Sequence, residues 1–94
     1  MHDMPQRQNQ KPTDTEVTRA LQGVAQQIRT ARAVLGAQQP GEWQQQAVAK
    51  RAGVSSHAVA NAEKCPRQVR AGDLFRIAHV LGLEITIAPV EEKT

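Results

Sequence analysis

Large rings are almost missing from this chain. Trp43 and Phe75 are its only two, and there is no tyrosine. Any core must therefore be assembled from alanine, valine, leucine and isoleucine, small side chains that let helices pack closely. Cysteine is nearly absent as well. Cys65 stands alone, so no internal disulfide can form, and a reducing cytoplasm is the expected home. No apolar run approaches the roughly 20 residues that span a bilayer, and "MHDMPQRQNQKP" has no apolar stretch of the secretory kind. What remains is a 94-residue chain with room for one small domain and a modest core.

Charge is spread unevenly along it. The net charge is +3, yet residues 43–82 carry six cations (Lys50, Arg51, Lys64, Arg67, Arg70 and Arg76) against only Glu63 and Asp73, while residues 83–94 carry a net negative charge. A positive middle points to a polyanionic partner such as nucleic acid. A merely solvated basic face would have the same composition, so charge alone leaves both readings open.

Residues 1–12 are polar, with several glutamines, and are expected to be a disordered tail. "TDTE" from Thr13 to Glu16 has the spacing of a capping box. Behind it, Val17, Leu21, Val24, Ile28, Ala31 and Leu35 form one apolar stripe, which predicts a helix of about twenty residues stopping at Gly36. "AQQPGE" is a loop. With Gln44 as N-cap, Trp43 and Val48 stand at the two ends of a hydrophobic staple. This second helix should end at Gly53, where a left-handed residue can make a sharp stop, and Ser55 should cap a third. Val54 and Val59 form the second staple. "KCPRQ" is a loop, and residues 70–82 predict a further helix carrying Leu74, Ile77, Ala78 and Leu81, ended by Gly82. "LEITIAP" then alternates with period two, which predicts a strand over 83–89, closed by Pro89. A lone strand needs a partner for its edges.

The segment "QQAVAKRAGVSSHAVANAE" breaks a good helix with a stop signal and a start signal, side by side. That is a helix-turn-helix pattern: Ala49 is small where a second helix must cross, Gly53 turns, and Val54 and Val59 set the angle. The outward face of the second helix would show Ser56, His57, Ala60 and Asn61. Short side chains with hydrogen-bonding ends suit base edges in a major groove, and asparagine can pair with adenine through two bonds. An ordinary helical hairpin with a solvated polar face is the competing interpretation.

Residues 28–88 resemble the Cro/cI-type helix-turn-helix regulators, through "IRTAR", "QQAVAKRAGVSSHAVANAE" and "LFRIAHVLGLE". The tail "LFRIAHVLGLEITIAP" looks most like the HipB-like antitoxins. The resemblance implies an all-α, five-helix lambda-repressor-like domain over residues 13–82, a short C-terminal dimerisation strand over 83–89, and a tail over 90–94. It implies that Gln44 and Gln45, at the start of helix two, lie against DNA phosphate, with Gln45 also bracing the recognition helix. Ser55, Ser56, His57, Ala60 and Asn61 correspond to recognition-helix positions that meet bases and flanking phosphates. Lys64 and Arg67 fall in the loop along the DNA backbone. Arg32 and Glu63 correspond to an ion pair between helix one and the end of the recognition helix. Leu83, Ile85 and Ile87 would supply the apolar face of the dimerisation strand.

His57 is open to two interpretations, a DNA contact or a surface histidine. The histidines share no metal-ligand spacing and Cys65 has no partner, so neither a zinc site nor a nucleophilic triad is expected, nor a cofactor. The expectation is therefore a non-enzymatic regulator that binds double-stranded DNA as a homodimer, represses by occluding a promoter, and does not bind membrane. The alternative is an antitoxin whose main partner is a HipA-like toxin protein and which autoregulates its operon.

Overall fold

A computed structural model describes residues 13–85, which form four α-helices and one short 3-10 turn. The helices are α1 (Asp14–Gln38), α2 (Gln45–Ala52), α3 (Ser56–Lys64) and α4 (Ala71–Val80), with the 3-10 turn at Pro66–Gln68. The described fold is thus all-helical, with four helices where five were expected. Between Lys64 and Ala71 there is room for only a single turn, and the alternation after Gly82 has no helical period.

Helix α1 begins as the sequence predicts. Thr13 Oγ1 accepts from the Glu16 N–H, and Glu16 Oε1 accepts from the Thr13 N–H, each at 3.0 Å. Its end differs from expectation. The helix runs through Gly36 to Gln38. A glycine inside a helix costs only about 1 kcal/mol, too little to stop one by itself. Pro40 does the stopping, because the residue before a proline is pushed out of the helical region. Gln39 accordingly sits at φ −136° and ψ 80°, its N–H still bonded to the Leu35 carbonyl.

The α2–α3 turn follows the predicted chemistry. Gly53 adopts φ +73°, the Val54 N–H bonds back to the Ala49 carbonyl at 3.0 Å, and Ser55 Oγ accepts from the Ala58 N–H at 3.0 Å. Ile28, Val48, Val59 and Ile77 are the largest fully buried side chains, one from each helix. Ala49, Ala52 and Ala62 fill the narrow spaces between them, and Trp43 and Val54 pack partly buried against the same cluster.

At the other end, Gly82 stops α4 at φ +78°, with the Leu83 N–H on the Ala78 carbonyl. Leu83 and Ile85 then return to the core, half-buried, while Glu84 points to solvent. The alternation is kept, but 83–85 form no strand among the described residues. The rest of the expected strand, Ile87 included, lies outside the described residues, as do the tails at 1–12 and 90–94. No described helix is long and apolar enough to cross a membrane.

Candidate nucleic-acid interface

Successive residues of a helix step by about 100°, so α3 divides cleanly into two sides. Val59, Ala62 and Glu63 face inward, at 0%, 0% and 7% exposure. Ser56, His57, Ala60, Asn61 and Lys64 share the opposite side; Ser56, His57 and Lys64 are exposed, Ala60 and Asn61 half-buried. Ser55 sits just before them with its oxygen engaged in the cap, which leaves its O–H free to donate.

Glu63 anchors the back of this helix. Arg32 from α1 donates to it twice, Nε to Oε2 at 2.5 Å and Nη2 to Oε1 at 2.9 Å, while Gln45 Nε2 from α2 donates to Oε1 at 3.2 Å. Arg32 Nη1 reaches the Trp43 carbonyl as well, at 3.4 Å. The hydrogen bond to Glu63 holds the Arg32 pKa above its ordinary value, with burial working against it. Arg29 adds a bond that motif reasoning missed: its Nη1 donates to the Glu63 backbone carbonyl, and its Nη2 to Gln26 Oε1 at 2.6 Å. A signal was available, since Arg29 and Arg32 are three apart and so share one face of α1. Three helices therefore meet at one carboxylate.

The structure places the other site residues around this anchor. Gln44 is the exposed N-cap of α2 and makes no side-chain cap bond. Gln45 is half-buried; one amide hydrogen is spent on Glu63 and the second remains available to a phosphate oxygen. Lys64 is exposed at the end of α3. Arg67 is also exposed, but its Nη2 donates to Thr18 Oγ1 at 3.1 Å, so the first helix orients it.

Four cations of the basic middle segment line two different grooves. Lys64 and Arg67 border the groove between α1 and the 3-10 turn, whereas Arg51 and Arg76 border a groove beside Phe75. Arg51 is further committed to the loop before α2. It lies 4.1 Å over the Trp43 ring and 3.5 Å from Glu42 Oε1, and Trp43 Nε1 donates to Gln39 Oε1 at 2.9 Å. That loop is held in place by its own contacts rather than hanging free.

No family model, curated protein or solved structure matches this chain. Among the described residues no three of His, Cys, Asp and Glu gather as metal ligands. The arrangement provides a braced helix presenting donors, acceptors and one methyl side chain, with cations at its C-terminal end.

Proposed function

We propose that this chain is a sequence-specific DNA-binding regulator that inserts α3 into a major groove. One observation carries this reading: α3 exposes a stripe of short hydrogen-bonding side chains while its opposite side is tied through Glu63 to α1 and α2. A rigid mount matters because base discrimination needs donors held in register with base edges. In this role Asn61 pairs with adenine, Ser56 and His57 bond base edges or flanking phosphates, and the Ala60 methyl lies against a thymine methyl. Gln44, Gln45, Ser55, Lys64 and Arg67 contact phosphate and set the register.

The sequence resembles lambda-repressor-like regulators, and α2 and α3 carry the helix-turn-helix part of that resemblance. Two copies would read a palindromic operator as a homodimer, with the segment from Leu83 to Ile87 pairing across the two-fold, and repress in the cytoplasm by occluding a promoter. The test is selection of bound sequences from a random DNA pool, followed by titration of the winner at several salt concentrations. Affinity should fall steeply with salt, and Lys64→Ala should flatten the log–log slope by about one unit while weakening all sequences alike. A pool from which no sequence is enriched, or binding indifferent to salt, refutes the reading.

A further inference from the structure

Phe75 is one of only two large rings in the chain, and it stands 48% exposed on α4. Nothing in a helix requires this, since Leu74, Ile77, Ala78 and Leu81 already supply the buried face. Phe75 and His79, one turn apart, form a ridge with a groove on each side. The first groove lies between the ridge and the segment Leu83–Ile85, with Glu84 on its rim. The second lies between the ridge and α2, with Arg51 and Arg76 on its rim.

We propose that this face is the contact between two copies of the chain, with Phe75 of each copy seated in the Leu83–Ile85 groove of the other. Two features argue for a second copy rather than another occupant. First, knob and hole lie side by side on one face, as an isologous contact demands: each copy offers the shape the other lacks. Secondly, the charges are placed to match. When each ridge enters the partner's first groove, the partner's Leu83–Ile85 segment lies on the Arg76 side of the ridge. Glu84 then meets the Arg76 of the other copy, and the same pair forms again across the two-fold. The groove holds about 260 Å³, below the roughly 300–1,000 Å³ of small-molecule pockets and suited to one inserted side chain. The inference keeps the homodimer of the proposed function but replaces the pairing of Leu83–Ile87 across the two-fold, because this docking sets the two Leu83–Ile85 segments on opposite sides of the paired ridges. It is independent of the DNA-binding part.

Sedimentation equilibrium of the full chain tests it, with circular dichroism confirming the fold of each variant. Phe75→Glu should raise the dimer dissociation constant by about 30-fold or more, as loss of a central aromatic anchor does. Arg76→Glu and Glu84→Arg should each weaken the dimer, and the double exchange should restore it. The double exchange keeps the test valid even if Phe75→Glu fails to fold, because both exchanged side chains are exposed. A wild-type chain that stays monomeric refutes the surface and the homodimer reading together. A wild-type dimer unaffected by Phe75→Glu and by both charge reversals refutes this surface alone and leaves the homodimer to form elsewhere.

Discussion

Removing Arg32 should cost more stability than removing Glu63, although both changes break the same ion pair. The reason is what each leaves behind. Glu63 has a side chain only 8% exposed, whereas that of Arg32 is 27% exposed. In Arg32→Ala the carboxylate stays buried with Gln45 as its one remaining side-chain donor among the described residues. One-sided loss of a buried pair costs about 3–5 kcal/mol, and this case should fall near the lower bound because Gln45 remains. In Glu63→Ala the guanidinium keeps the Trp43 carbonyl and reaches water, so the cost should drop to about 2 kcal/mol. Replacing both residues by apolar ones of similar size should be close to neutral. Urea unfolding of wild type, both single variants and the double variant gives the coupling directly. A domain of this size loses about 4–8 °C of melting temperature per kcal/mol, so both single variants are easily resolved. The pH dependence is also determined in sign. A cation whose folded pKa lies above its ordinary value contributes stability that is complete below that ordinary value and lost only as pH rises through the folded one. Arg32 should therefore contribute equally at pH 6 and pH 10. Equal costs for the two substitutions, or costs below about 1 kcal/mol for both, would show that the pair behaves as a surface pair and refute the reasoning.

Three further outcomes follow from single residues. Gly53→Ala should lose about 1–2 kcal/mol in the same unfolding assay, purely from backbone strain, because φ is +73° and nothing lies within 4 Å of the added carbon. Ser55→Ala should cost about 1 kcal/mol through the lost cap, and Ser55→Asp should recover most of it; an undiminished Ser55→Ala protein would remove the cap from the account. Once an operator is selected, Asn61→Ala should lose about 1–3 kcal/mol of discrimination at one base pair, measured by competition, with the preference elsewhere unchanged.

The parts of this protein that were legible in the sequence are those decided within a turn or two of chain. The Thr13–Glu16 box, the Gly53 stop, the Ser55 cap and the inward side of α3 all arise from neighbours bonding neighbours, so spacing alone reveals them. The end of α1 was misplaced at Gly36 although its cause, Pro40, stood four residues away; a steric veto outweighed a weak propensity. The basic middle segment looked like one surface because residues close in sequence were counted together. Packing of α2 against α4 instead puts Arg51 and Arg76 on one groove and leaves Lys64 and Arg67 on another. The strand signal of 83–85 had a similar fate: its alternation specifies which side is apolar, and the nearby helices take up that side without a sheet. The Arg32–Glu63 pair and the Gln45 brace were legible only through the family resemblance, not through spacing, and the Arg29 bond was not legible at all. Arg29, Arg32 and Gln45 reach Glu63 from 34, 31 and 18 residues away. A contact at that separation depends on where three helix axes cross, and the crossings are set by how Ile28, Val48, Val59 and the small alanines fit together in the core.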